Sequence, residues 1–529
     1  MFYKTQRLYY TIIDLRFNQI INQVINIFGF RNIYIGDYNK YMLKKVYKLN
    51  VDPSLYIQEN PKIRSDLSFE FLNKRLNFKA EIDWNYSLYG KLWNYNLQYL
   101  DYILYDNITL EYRKELIKSV SKSVLKQELK LEPYPVSLRI NNIILFDSIY
   151  GIEDKDVYDA FKIQVYFLSK NLEHHLLGNH LLENYMSLLI ASYALRDRKL
   201  FFKFSLLLKK ELNEQILNDG AHFERSPMYH SIILQRLMMC IDIMNKNETF
   251  CNNELKNFLV LNVNRMMGWL NEISFSNGTW THLNDSTNGI SLTKQKLYRN
   301  AETLGIHGVK VNLRESGFRK FKSQIFELIV NTGEISPKYQ PGHAHSDILS
   351  FYLSDGNEQL IVDTGVSTYE GGPTRDEERS TMSHNTITIN NKNQSDIWGT
   401  FRVGKKAKVE IIIDELNRLI SKVYNLNGLK KSSHQREFEL YGEKLLIKDF
   451  VNSKSNDLKN YVHFDFKIKP IQDGNIIYFG DYKLEYTKGL IEMQIETYKQ
   501  ALGFNLRELA VKLVSKVEKD SEFIISKIK

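Results

Sequence analysis

Between about residues 108 and 305 the apolar positions recur with a helical period. EYRKELIKSVSKSVLKQ, DVYDAFKIQVYFLSKNL, GNHLLENYMSLLIASYALR, RKLFFKFSLLLKKELNEQIL and MYHSIILQRLMMCIDIMNK each place apolar side chains at i, i+3, i+4 and i+7, which predicts amphipathic helices. The links between them are short, so neighbours are expected to run antiparallel. Helical hairpins following one another without strands point to an (α/α) toroid or a bundle. Near residue 320 the pattern changes. QIFELIV, ILSFYL, QLIVDTG, NTITI, KVEIII, LISKVY, REFELYG, KLLIKDFV, YVHFDFKI and LIEMQIETY are short runs rich in β-branched and aromatic residues, divided by turn signals such as SDGN, YGEK and FGDY. Many short strands at close spacing predict an antiparallel β-sandwich. The expected architecture is therefore a helical domain over 81–315 and a sandwich over 316–529. Residues 1–80 carry a weaker pattern and are assigned as an N-terminal helical extension.

At 529 residues the chain suits two or three domains, and 43% apolar with 25% charged residues is the balance of a folded protein. The formal charge of +9 favours polyanionic partners by long-range attraction. Nucleic acid and acidic polysaccharide both qualify; no basic run or zinc-finger spacing favours nucleic acid, and charge spread over a large surface for solubility is the plain alternative. Cys240 and Cys251 do not indicate a redox compartment. The opening MFYKTQRLYYTIIDLRFNQIINQVINIFGF is broken by Lys4, Arg7, Asp14 and Arg16 and lacks a small-residue cleavage site, unlike a conventional secretory signal. Nor does any stretch reach the ~18 consecutive apolar residues of a membrane span. A cell-envelope location and a cytoplasmic one both stay open.

Two segments of the helical half carry candidate chemistry. In GNHLLEN, the spacing of His175, Asn179 and Glu183 predicts one polar stripe on an apolar helix, and an Asn there offers amide N–H groups to a carboxylate. In NDGAHFERSPMYH, Ser226 and Pro227 read as N-cap and first residue of a helix, with Tyr229 in its first turn. The positive helix end and nearby Arg225 are expected to favour a Tyr229 phenolate, drawing its pKa below about 10. In the sandwich half, PGHAHSD, IVDTG and ERSTMSHNTITIN hold the HxH pair His343 and His345, with Asp363 and His384 completing a His/Asp/His set suited to zinc. A tight SDGN hairpin would offset Asp363 from His345 by up to about four residues, roughly 13 Å along a straight strand, so closure needs a twist, a bulge or His345 in a loop.

GNHLLEN, DGAHFERSPMYH, GHAHSD…DTG and GGPTRDEERSTMSHNTITINNKNQSDIWGTFRVGKKA, with LWNYNLQYLDY earlier, together resemble the heparinase II/III family of polysaccharide lyases over roughly residues 80–460. The resemblance implies an (α/α) toroid joined to an antiparallel β-sandwich, with substrate in the cleft between them and cleavage of uronate polymers by β-elimination. By position it implies Asn179 as carboxylate neutraliser, Tyr229 and His343 as the catalytic Tyr and His, and His345, Asp363 and His384 as ligands of one structural zinc. His180, Glu183, Arg225 and Arg379 are the polar candidates for substrate binding; Trp84, Trp93 and Tyr99 are the stacking candidates. The segment around Asn179 is closer to the heparinase III branch and the HxH pair closer to heparinase II, so specificity is borrowed from neither. Two other functions compete. A glycoside hydrolase needs two facing carboxylates, for which Glu183 and Glu224 are candidates. A non-catalytic carbohydrate-binding or assembly protein would keep the fold without turnover.

Overall fold

A computed structural model describes residues 2–27, 39–57, 63–64 and 67–528. Helices Leu110–Leu125, Pro133–Tyr150, Lys155–Lys170, Gly178–Ala194, Arg198–Gln215, Pro227–Lys246 and Asn253–Glu272 follow one another with short links, as the periodicity predicts. Three of them, Pro133–Tyr150, Gly178–Ala194 and Pro227–Lys246, are buried on nearly every side and form the inner layer. Their sequences are apolar with a few small and polar residues, because each packs on neighbours all round. Of Gly178–Ala194, every residue but His180 is buried. Outer helices such as Arg198–Gln215 instead bury one stripe, including Leu200, Phe204, Leu208 and Leu212. The helices form the toroid.

The last helix of this domain, Lys294–Thr303, is followed by the first sandwich strand, Phe318–Lys322. A four-stranded antiparallel sheet then orders Phe318–Lys322, Glu327–Asn331, Phe351–Ser354 and Gln359–Ile361. A ten-stranded sheet faces it, with Lys408–Asp414, Arg418–Tyr424, Ser433–Tyr441, Lys444–Asn452, Leu506–Lys527, Tyr482–Gly503, Ile476–Phe479 and Ile471–Asp473 in spatial order. Leu458–His463 pairs with both Leu506–Lys527 and Ile387–Ile389. One apolar core joins the sheets; Phe351 meets Phe438 edge-on, with ring centroids 6.0 Å apart.

The N-terminal extension differs from the expected all-helical one. Helices Phe2–Ile12 and Phe17–Ile27 are present, but Ile63–Arg64, Ser68–Phe71 and Lys74–Asn77 form a small antiparallel sheet. Phe69 and Phe71 from that sheet pack on Trp93 and Tyr102 of the toroid. Helix Phe2–Ile12 leaves the toroid altogether and docks on the sandwich, where Arg7 pairs with Asp396. Asp14 pairs with Lys406, while Arg16 crosses back to Glu214 of the toroid. These ion pairs tie the segment to both domains.

A second bridge lies at the turn between the longest strands. The Asn73 amide donates to the Phe504 carbonyl at 2.8 Å and the Asn505 amide to the Leu72 carbonyl at 2.9 Å. The Asn505 backbone N–H also donates to the Ser367 carbonyl, and the Phe504 ring lies 4.8 Å from that of Tyr369. Among the described residues no helix is long and apolar enough to cross a membrane.

Candidate active site

Ser226 caps the helix Pro227–Lys246, its hydroxyl accepting the Tyr229 N–H at 3.3 Å, with Pro227 in the first turn. That cap and the rigid proline place the Tyr229 side chain at the helix mouth, facing the sandwich. Across the domain boundary the loop 341–347 brings in His343, whose ring centroid is 4.1 Å from that of Tyr229. Tyr369, from the strap after Asp363, completes the group with its hydroxyl 3.1 Å from the Tyr229 hydroxyl.

Asn179 reaches the same place from the start of the helix Gly178–Ala194. Its side-chain amide lies 2.9 and 3.1 Å from the two carboxylate oxygens of Glu224, and its backbone N–H donates to Glu224 at 3.0 Å. Its own Oδ1 is buried without a partner. Glu224 Oε2 is in turn 3.8 Å from His343 Nε2. This packing depends on Gly178, which has φ +58; a Cβ there would sit 2.2 Å from Glu224 Oε1 and 2.9 Å from Gln340. Asn179, Tyr229 and His343 therefore share one site between the domains. His175 does not join the stripe, because the helix begins only at Gly178.

Electrostatics separate the two candidate proton carriers. Burial pushes the Tyr229 phenol well above its usual pKa, and Tyr369 and the Asp285 carboxylate add to the shift. This reverses the expected drop. The reason is that Arg225, in a left-handed conformation (φ 56), turns away and donates to the backbone carbonyls of Glu334 and Glu315. Arg225 accordingly ties the toroid to the start of the sandwich. Burial would raise the Glu224 carboxyl, but His222, His343 and Asn179 outweigh it and hold it below the usual value.

Several other sequence candidates are placed elsewhere. Trp84 and Trp93 are buried in the toroid core, their indole N–H groups on Ser119 Oγ and the Lys74 carbonyl, so neither is a stacking platform. Glu183 is wholly buried with Arg236 at 2.8 Å and is no substrate ligand. Arg379 is also fully buried and donates to the carbonyls of Ala344, Gly399 and Thr400, bracing the His343 loop rather than meeting a ligand. Two candidates lie beside the site, His180 near Glu224 and Tyr99 near Tyr229. His180 is partly exposed, 3.0 Å from Glu173, with its ring 4.4 Å from that of Tyr134. Tyr99, half-buried, follows at 6.0 Å from Tyr134. Burial would lower the His180 pKa, but the Glu173 carboxylate prevails and raises it.

The residue that sequence reasoning missed is Asp285. It is fully buried, and its carboxylate receives Arg375 on both oxygens at 2.5 and 2.7 Å, His343 Nδ1 at 2.8 Å and His345 Nε2 at 3.0 Å. Burial would raise its pKa; Arg375 and the two histidines overcome that and hold it well below the carboxylate range. Tyr369 and Arg375 were missed with it. For Arg375 a signal existed, since it precedes Arg379 by four residues in the same GGPTRDEERS segment.

Behind this layer the possible ligand atoms of His345, Asp363 and His384 lie within 4.8 Å of one another, all buried. His345 is in a loop, not a strand, which removes the offset that a straight hairpin would impose. His384 Nδ1 is 2.8 Å from Asp363, and the Tyr352 hydroxyl donates to the same carboxylate at 3.0 Å. His345 Nδ1 and His384 Nε2 are buried without partners.

Comparison with known proteins agrees with this anatomy. The profile described as Heparinase II/III N-terminus matches residues 158–304, and that described as Heparinase II/III-like, C-terminal matches 309–498. A heparin-sulfate lyase of Bacteroides stercoris is 24% identical over 232 residues; the match spans 40% of this chain and only 34% of that protein. Among solved structures, Heparinase III superposes with a TM-score of 0.66 at 15% identity, covering 94% of this chain and 86% of the other. Heparan sulfate lyase HepC from Pedobacter heparinus gives 0.56 at 17%, covering 93% and 87%. Chondroitinase AC lyase, solved in complexes with oligosaccharides, gives 0.51 at 9%, covering 97% and 82%. Identities this low speak for the fold, a helical toroid followed by an antiparallel sandwich. With its two characteristic halves matched in order over well more than half its length, the chain belongs to the heparinase II/III family.

Proposed function

We propose that this protein is a polysaccharide lyase that cleaves a uronate-containing acidic polysaccharide by β-elimination. The observation that carries the reading is the meeting of Asn179, Tyr229 and His343, from two domains, in one site beside Tyr99, Tyr134 and His180.

The C5 proton of a uronate is a very weak acid and becomes removable once the C6 carboxylate is neutralised. A primary amide has two N–H groups. Asn179, whose amide nitrogen is held against Glu224, is the group assigned to the substrate carboxylate. His343 takes the C5 proton on Nε2; the positive charge that forms lies between Asp285 and Glu224, which favours it. Tyr229, kept as a neutral phenol by burial, donates its proton to the leaving O4. The products are a new reducing end and a 4,5-unsaturated uronate.

A zinc ion fits the His345, Asp363 and His384 set: two partnerless buried imidazole nitrogens beside a carboxylate are a donor set of the zinc type. Held there, it would supply structural cross-linking of the loop that bears His343.

The hydrolase reading loses support, because Glu183 is enclosed with Arg236 and Glu224 is engaged with Asn179. The test is a panel of heparin, heparan sulfate, alginate, hyaluronan and bacterial capsular polymers, followed by the ultraviolet absorbance of the unsaturated product. Absorbance with at least one polymer, lost in Tyr229→Phe, is expected. Reducing ends without absorbance would mean hydrolysis, and binding without any product would mean a non-catalytic protein.

A further inference from the structure

Asp285 contributes more to this site than a counter-ion for Arg375. Its carboxylate sits between two imidazoles that belong to different tasks, His343 on the cleft side and His345 on the side of Asp363 and His384. A carboxylate gripped on both oxygens by a guanidinium is an acceptor, so each ring nitrogen facing it carries the proton. The two rings face it by different atoms, Nδ1 of His343 and Nε2 of His345.

We infer that Asp285 is a positioning residue that imposes opposite tautomers on the two histidines, leaving the Nε2 lone pair of His343 open to the cleft and the Nδ1 lone pair of His345 open to the Asp363–His384 cluster. His343 Nε2 has its nearest carboxylate oxygen at 3.8 Å, outside hydrogen-bond distance, and His345 Nδ1 has no partner. The backbone enforces the same arrangement. The Asp285 N–H donates to the His343 carbonyl at 3.0 Å, and its carbonyl accepts the hydroxyl of Ser226, the cap of the Tyr229 helix, at 2.7 Å. Next to it, Asn284 accepts the His345 backbone N–H at 3.2 Å and donates to the Arg225 carbonyl at 3.0 Å. One two-residue segment thus sets both rings and the helix that carries the phenol. For His343 the inference rests on the lyase reading, since an open Nε2 matters there only if that atom takes a proton.

The experiment is long-range proton–nitrogen correlation on the full-length protein with 15N-labelled histidine, at a pH where the ring is neutral, with His343→Gln to assign the resonance. The parent protein is expected to show His343 protonated at Nδ1 and bare at Nε2. Asp285→Asn, whose amide can offer a donor in place of an acceptor, should give a mixed or reversed tautomer. Its kcat should fall by about 10²–10⁴ with KM changed less than about threefold. A parent spectrum with the proton on Nε2 would overturn the inference even if the variant did not fold. So would an Asp285→Asn protein with unchanged tautomer and rate. Should the parent give no product from any polymer, the lyase reading fails separately, and the spectrum still decides the tautomer.

Discussion

Tyr229 and His343 belong to different domains, 114 positions apart in the sequence, and their rings lie 4.1 Å centroid to centroid. Each domain on its own presents half of the proposed reaction centre. The toroid supplies an amide and a phenol at the mouths of two inner helices, and the sandwich supplies an imidazole on a braced loop. Chemistry of the kind proposed depends on keeping those halves in register.

Removing the Tyr229 hydroxyl should leave binding in place and stop elimination. In Tyr229→Phe, kcat is expected to drop by at least about 10²-fold, the range typical of a lost proton donor, with KM little changed. Among the described residues the hydroxyl bonds Tyr369 alone, so circular dichroism should be unaltered. Full activity in this variant would remove Tyr229 from the mechanism.

Gly178 is predicted to be intolerant of the smallest enlargement. Gly178→Ala places a Cβ into Glu224 Oε1 and leaves an L-residue at φ +58, a backbone cost of about 1 kcal/mol before any clash. Displacing Glu224 also frees Asn179, so activity should fall by more than about tenfold, beyond what the stability loss alone gives. A steady-state assay beside a urea titration separates the two effects.

Glu378 should make the fold pH-sensitive. Burial pushes its carboxyl up to about 7 although Ser367 donates to it, and its Oε2 has no partner. A raised acid pKa does not affect stability below the unfolded value near 4.5, where both states are protonated. Stability is then lost progressively as pH rises to about 7, above which the penalty levels off at roughly 3 kcal/mol. Glu378→Gln, which keeps the acceptor for Ser367, is expected to match the parent at pH 4 and to exceed it in thermal midpoint at pH 8. Identical melting profiles at both pH values would contradict this.

The His345, Asp363 and His384 cluster should retain close to one zinc per chain after purification without chelator, as counted by elemental analysis. His384→Ala should abolish it. At free zinc 100-fold above Kd the ion adds about 2.7 kcal/mol, so chelation should lower the melting temperature of the parent and leave that of the variant unchanged. A parent protein that neither holds zinc nor responds to chelation would rule the site out.

Much of the frame was legible in the sequence because it is local. The Ser226–Pro227 start was visible, since capping needs only neighbouring residues. The change from period 3.6 to period 2 marked where helices give way to strands. The final strand Leu506–Lys527 stood out less, because much of its first half and its centre is exposed and carries residues such as Arg507, Glu508, Lys516 and Glu518. The small sheet near residue 70 escaped notice because its strands are four residues or fewer. The reading of Tyr229 failed for a tertiary reason. A helix mouth and an arginine neighbour suggested a phenolate, but the sandwich loop buries the ring and the arginine points elsewhere. Asp285 lies in a polar stretch, THLNDSTNG, with nothing local to distinguish it from a turn aspartate. Its role comes entirely from partners 58 to 90 residues away. Trp84 and Trp93 stayed open for the converse reason: an indole suits a sugar platform and a core equally well, and only burial decides.

The turn at Phe504–Asn505 has a practical corollary. It packs on the Tyr369 ring while clasping the hairpin at Leu72–Asn73, so a change there reaches Tyr369 both through that aromatic contact and through the Asn505–Ser367 hydrogen bond. Anyone seeking to alter which polymer this protein accepts would do well to randomise that distant tip as well as the walls of the groove.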